Sequence, residues 1–336
     1  MRKEILWFPV MALVAAMLAA CSTTPAAPAA PTSSSGGQAA AQPAASGKSY
    51  TLAMGTGSTG GTFYPLGAAI AKVVGDKSNV KITVQSTGAS VENMRLLGSK
   101  EVQLGMASSS VVEDAYKGKD MFKAPIPSLR AIGYLYADII QVFTIADTGI
   151  NSIADFKGKK IGVGPAGSAN EFVSRDLLSM YGLTFNDITP VKAPYDQMGD
   201  QLKDKQLAAA IFQLDVPNST IQDISMTKSV KFLPIDAGKV VAKYPYYAKG
   251  AIKGGAYKGT PDAVETVVLP ALLVTTDNTN PDAIYQLTKA MYEGTKDIAA
   301  IYATGAEVTP GNALKGVSIP LDPGAEKYYK EKGLLK

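Results

Sequence analysis

Four stretches of glycine and hydroxyl residues carry the chemistry this chain can offer: Gly55-Thr56-Gly57-Ser58-Thr59-Gly60-Gly61-Thr62, Ser86-Thr87-Gly88-Ala89-Ser90, Ser108-Ser109-Ser110, and Gly162-Val163-Gly164-Pro165-Ala166-Gly167-Ser168. Residues of these types expose backbone N–H groups, and just ahead of a helix they cradle an anion. What is missing excludes more. The 336 residues include no histidine and a single cysteine. Imidazole acid–base catalysis, Ser-His-Asp or Cys-His nucleophiles and histidine zinc sites are therefore excluded, and so is a disulfide framework. No cofactor or metal is expected. Beyond the first residues the only arginines are Arg95, Arg130 and Arg175, so a planar fork for a carboxylate is scarce.

Two motif matches point to enzymes and fail on context. Gly55-x-Gly57-x-x-Gly60 fits the dinucleotide fingerprint, but the second strand ends Val84-Gln85-Ser86, without the acid that would hold a ribose. Ser78-x-x-Lys81 and Ser225-x-x-Lys228 fit a serine–lysine acyl-transfer pair, yet neither has a Ser-Asp-Asn or Lys-Thr-Gly companion. An exported serine acyl-transferase or hydrolase stays as the alternative class. An enzyme is not the expectation.

The elements that must position the glycine turns alternate. Buried-strand patterns occur at 50–54, 80–85, 104–107, 130–135, 141–145, 160–163, 209–212, 230–233 and 271–275. Helical spacing falls between many of them, at 64–74, 90–97, 168–180 and 282–293. Strand followed by helix followed by strand predicts a mostly parallel α/β sheet, and ligands of open α/β sheets bind at the carboxyl edge, where these turns lie. The 287 residues from Tyr50 onward sit at the upper limit for one core, so two lobes are expected.

The first 49 residues read differently. Arg2 and Lys3 precede an apolar run, Ile5 to Ala20, that ends Leu18-Ala19-Ala20-Cys21. This run resembles a bacterial lipoprotein signal, which implies a signal peptide over 1–20 and lipidation of Cys21 by diacylglycerol and an acyl chain such as palmitate. From Ser22 to Ser49, 25 of 28 residues are Ala, Pro, Ser, Thr or Gly, a composition that reads as a flexible tether. Losing Arg2, Lys3 and Glu4 lowers the formal charge from +4 to +3, which gives no footprint for nucleic acid.

From Tyr50 to Lys336 the chain resembles the TAXI-family solute receptors of TRAP transporters. The resemblance rests on residues 55–67, Thr87-Gly88-Ala89-Ser90-Val91-Glu92-Asn93-Met94-Arg95-Leu96-Leu97, Val102-Gln103-Leu104-Gly105-Met106, residues 152–160, Gly167-Ser168-Ala169-Asn170-Glu171 and Tyr244-Pro245-Tyr246-Tyr247. One departure is Gly88-Ala89-Ser90, where the family pattern often reads Gly-Gly-Ser.

The resemblance implies a type II periplasmic-binding-protein-like fold. In it each lobe is a mixed, mostly parallel sheet flanked by helices, and the ligand cleft lies between the lobes. Lobe one would be 50–143 plus 271–336 and lobe two 144–270, with the runs 141–145 and 271–275 passing side by side as the hinge. It further implies a monomeric, extracytoplasmic, lipid-anchored receptor that hands a small organic anion, a glutamate-like amino acid or an oxo- or dicarboxylate, to membrane permease subunits.

The expected ligand-binding residues are Thr56, Gly60, Gly61, Thr62 and Tyr64 from the first turn, Ser90 and Asn93 from the second, and Ser108 and Ser109 from the third. Gly167, Ser168 and Asn170 come from the second half, together with Phe212 or Gln213, and Tyr136 lies past another strand end to cover the ligand. Backbone N–H groups and hydroxyls are the expected donors. Arg175 is expected to pair with Glu171, one helical turn earlier.

Overall fold

A computed structural model describes residues 48–146 and 148–336. The expected signal segment, the expected lipidation site Cys21 and the expected tether up to Gly47 lie outside the described residues.

The elements follow in the order β1 (Tyr50–Gly55), α1 (Phe63–Lys77), β2 (Val80–Gln85), α2 (Ser90–Gly98), β3 (Leu104–Ser108), α3 (Ser109–Lys117) and the long β4 (Leu129–Ile145). Next come β5 (Lys160–Gly162), α4 (Ala169–Met180), β6 (Thr189–Val191), α5 (Tyr195–Lys203), β7 (Ala209–Leu214), α6 (Ser219–Thr227), β8 (Val230–Phe232), α7 (Ala237–Lys243) and β9 (Ala248–Ile252). A second long strand, β10 (Val264–Thr276), leads to α8 (Pro281–Glu293), α9 (Thr295–Ile301) and α10 (Pro323–Glu331). Local chemistry accounts for many of these elements. In α1 the buried residues Phe63, Leu66, Gly67, Ile70, Val73 and Val74 recur at helical spacing, so one stripe faces the sheet. Every residue of β3 is buried, as in strands covered on both faces. At α8, Pro281 occupies the first turn and the Asn280 side chain accepts from the Asp282 N–H.

The sheet runs β2-β1-β3-β10-β4-β7-β5-β6, with β8 on β4 and β9 on β10. Parallel pairs flank each side, β2-β1-β3 and β7-β5-β6, while β10 and β4 run antiparallel to each other and to their neighbours. These two long strands serve both halves. Ile132, Leu135, Tyr136, Ala271 and Leu273 pack into the core formed with α1, α8 and α10, whereas Ile140, Val142, Val267 and Leu269 pack with α4 and β7.

The predicted strands at 130–135 and 141–145 are thus one continuous strand, and the pattern at 271–275 is only the second part of β10. The runs 141–145 and 271–275 do not face each other. Gln141 pairs with Phe212 of β7 and Ala271 with Tyr136, so the chains cross between the halves where Tyr136–Ile139 lie opposite Val268–Ala271. Pro270, which has no N–H, and a bulge between Ala271 and Leu272 weaken the ladder at that crossing.

Candidate functional site

Helices α1 to α5 all begin at the carboxyl edge of the sheet around one buried cavity of about 30 Å³. Its wall takes Gly57, Ser58, Gly61, Thr62 and Phe63 from the turn into α1, Ala89 and Ser90 from the start of α2, and Ser108 ahead of α3. Tyr136 and Asp138 contribute from β4, Pro165, Ser168, Ala169 and Asn170 from the turn into α4, Tyr195 from α5, and Gln213 and Leu214 from β7. None of these five helices has a side-chain cap. Of the helices that start elsewhere, α6, α7, α8 and α10 are capped by Asn218, Asp236, Asn280 and Asp322, and only α9, which follows Gly294, is not. First-turn N–H groups have no intrahelical acceptor and carry the positive end of the helix dipole, so uncapped starts that converge present an anion-attracting surface.

Of the residues expected from the sequence, Gly61, Thr62, Ser90, Ser108, Tyr136, Ser168, Asn170 and Gln213 line the cavity. Several of their polar groups bond within the protein. Thr62 Oγ1 donates to Asp215 Oδ1 at 2.7 Å and accepts from the Asp215 N–H at 3.0 Å. Ser168 Oγ donates to the Pro165 carbonyl at 2.6 Å, and Ser90 Oγ accepts from the Ser108 N–H at 3.2 Å. Asn170 Nδ2 donates to the Ile211 carbonyl at 2.7 Å.

The remaining expected residues stand behind this wall. Thr56 Oγ1 donates to the Gln85 carbonyl at 2.7 Å, and Asn93 Nδ2 donates to the carbonyls of Thr56 and Met106 at 2.7 and 2.8 Å, so the two fasten the strand-end loops together. The Gly60 carbonyl accepts from Thr220 Oγ1 at 3.0 Å on the rim. Tyr64 is half-buried on α1, and Ser109 starts α3 one residue past the wall. Gly167 has φ +76° and its carbonyl accepts from the Val91 N–H at 3.0 Å. Phe212 is core, edge-on to Tyr195 and Phe143.

None of the three arginines lines the cavity. Arg130 pairs with Asp277 at 3.1 Å, and Arg95 donates to the Met121 carbonyl at 3.0 Å. Arg175 does not pair with Glu171. It stacks on the Phe172 ring at 4.5 Å, and Glu171 pairs with Lys192 at 2.8 Å, because the neighbouring aromatic face offers the guanidinium a closer partner. The serine–lysine candidates are also remote. Ser78 Oγ and Ser225 Oγ donate to the carbonyls of Val74 and Gln222. Among the described residues no group of three or more His, Cys, Asp or Glu side chains is placed to hold a metal ion.

Sequence reasoning missed the acids. Asp138 is buried, accepts from Tyr136 Oη at 2.6 Å and Gln213 Nε2 at 2.8 Å, and burial pushes its carboxyl up to about 7, with the Asp215 charge adding to that. Asp215, at the end of β7, accepts from Thr62 Oγ1, from Tyr302 Oη at 2.7 Å, from Thr304 Oγ1 and from Asn218 Nδ2 at 3.1 Å. Tyr195 Oη donates toward Asn170 Oδ1 and the Gln213 carbonyl, at 3.2 and 3.3 Å. Phe63, edge-on to Tyr136, lines the cavity as well and was not among the expected residues. The signal for Asp138 was present: it is the lone acid between Ala131 and Ile145, a run otherwise dominated by apolar and aromatic residues.

The sequence profile of the NMT1-like family matches residues 54–333. The chain belongs to the NMT1-like family. Solved structures similar to this NMT1-like protein include one described as a periplasmic transporter, with a TM-score of 0.54 and 13% identity over 85% of this chain and 93% of that one. A protein from Bordetella bronchiseptica RB50 gives 0.51 and 17% over 83% and 88%. The alkanesulfonate-binding protein of Xanthomonas axonopodis pv. citri, bound to MOPS, gives 0.46 and 15% over 83% of each chain. The likeness to the first two is one of fold: a two-lobed α/β architecture whose halves are joined by β4 and β10, with residues of both halves lining the cavity.

Proposed function

We propose that this NMT1-like protein is an extracytoplasmic receptor that captures a small organic anion between its lobes and delivers it to a membrane transporter. The observation that carries this reading is the convergence of five uncapped helix starts, from both lobes, on one buried cavity. No lysine or arginine lines that cavity, so the anion's charge would be met by N–H groups and helix dipoles. At about 30 Å³ the cavity has room for one or two waters, so the lobes must part to admit a metabolite. The weakened ladder at Pro270 and Ala271 is where that bending would concentrate, with lobe one as 50 to about 137 plus 271–336.

The resemblance to TAXI receptors supports TRAP permease subunits as the partner, and the lipoprotein signal supports anchorage at Cys21 in a bacterial envelope, with the receptor a monomer. Turnover has little to work with, since the chain has no histidine and the candidate serines lie away from the cavity. Native mass spectrometry on protein purified without unfolding tests the reading. A receptor releases an unchanged carboxylate-bearing molecule, and titration with that molecule's amide or ester gives much weaker binding. Recovery of a chemically altered product, or of a neutral sugar that binds tightly, would refute it.

A further inference from the structure

The cavity has a second pole. Asp138 is the only Asp, Glu, Lys or Arg in its wall among the described residues, and it is 2% exposed. Its two oxygens accept from Tyr136 Oη and from Gln213 Nε2, both neutral donors. The same bonds settle how the Gln213 amide is turned. Nε2 donates to Asp138 Oδ2 at 2.8 Å and to Ser108 Oγ at 2.6 Å, so the other end is the carbonyl Oε1. That oxygen is buried and has no hydrogen-bond partner among the described residues, and Ser58 Oγ in the same wall has none either. Buried acceptors without donors, and buried carboxylates without a counter-charge, are each unfavourable, and here both belong to residues that line one small cavity. A hydroxyl would satisfy Oε1 but leave the Asp138 charge uncompensated. A primary ammonium satisfies both, with N–H groups to spare.

We infer that the ligand carries a primary ammonium received by Asp138 and Gln213 Oε1, beside the carboxylate held at the helix starts: the cavity is built for an amino-acid zwitterion, not for the corresponding oxo or hydroxy acid. This rests on the anion reading above and adds the group at the other end of the ligand. A purely anionic dicarboxylate would set like charges together at Asp138, whereas the zwitterion places each charge against its complement.

Calorimetry with two matched sets tests it on the chain without its signal peptide: L-glutamate, 2-oxoglutarate and 2-hydroxyglutarate, then L-alanine, pyruvate and lactate. In the set that binds, the amine should bind at least tenfold tighter than both analogues. Asp138→Asn and, as a near-isosteric second variant, Gln213→Met should each weaken the amino acid at least tenfold, while neither weakens the oxo acid by more than threefold and Asp138→Asn, which removes the like charge, tightens a dianionic one. Equal or tighter binding of the oxo or hydroxy acid overturns the ammonium subsite and leaves the anion reading standing, as does unchanged amino-acid affinity in folded Gln213→Met. If no compound of either set binds, both readings fall.

Discussion

Closure of the lobes should depend on Asp215, a single buried carboxylate that no motif marks. It sits at the end of β7 in lobe two, and Thr62, Tyr302 and Thr304, which donate to it, all belong to lobe one. In Asp215→Ala those hydroxyls lose their acceptor only in the closed form, because an open cleft lets water reach them. Thr62 is 2% exposed and carries the full cost of an unpaired buried donor, about 1–3 kcal/mol. Tyr302 and Thr304 are partly exposed and can recruit water, so each loses only the net value of a hydrogen bond, about 0.5–1 kcal/mol. The closed state is then disfavoured by about 2–5 kcal/mol, and a ligand that binds only when the lobes close loses affinity about 30- to 4,000-fold. Tyr302→Phe, which removes one donor and leaves the carboxylate, should cost only about 2- to 5-fold. Calorimetric titration with the molecule retained through native purification reads both. A dissociation constant for folded Asp215→Ala within threefold of the parent would refute the latch, because the contacts described would then contribute nothing to the bound state.

Other expectations follow from particular contacts. In Gly133→Ala the new Cβ would collide with both Tyr292 Oη and Tyr329 Oη, which donate to the carbonyls of Tyr134 and Ile132, so a loss of about 2–5 kcal/mol should appear as a lower denaturant midpoint at unchanged slope. Ala89 holds φ +73° at the start of α2, where glycine is not strained, so Ala89→Gly should raise stability by about 0.5–1 kcal/mol in the same assay; a drop would mean that the methyl's packing outweighs the backbone strain. Cys21→Ala should move the protein from the membrane to the soluble fraction on centrifugation with ligand affinity unchanged, and retention in the membrane fraction would count against lipid anchoring at that residue.

The α/β class, the strands from 50–54 to 209–212 and the glycine turns at their carboxyl ends are legible in the sequence because they are local: burial on both faces makes short apolar runs, and a helix that starts after a strand needs small residues in the turn. The same locality explains the helices at 64–74 and 282–293. It also explains what was missed. The short β6 and β9 lack an apolar run of their own, and β9, with only Ile252 buried, is held by its pairing with β10.

In the site, Gly61, Thr62, Ser90, Ser108, Ser168 and Asn170 could be found because a turn ahead of a helix marks itself. Tyr195 and Asp215 could not, since nothing within a few residues of them says what they face, and the apolar run around Asp138 marks a buried acid without saying what it meets. The Gln213 bonds to Ser108 and Asp138 span 105 and 75 positions of chain, and the Thr62 bond to Asp215 spans 153. Only the crossing of β4 and β10 brings those acids to the mouths of the helices. Residue type and spacing determined that an anion could be cradled here; the folded sheet decided that a carboxylate stands opposite the cradle, because the cost of burying that charge is set by neighbours from the other lobe.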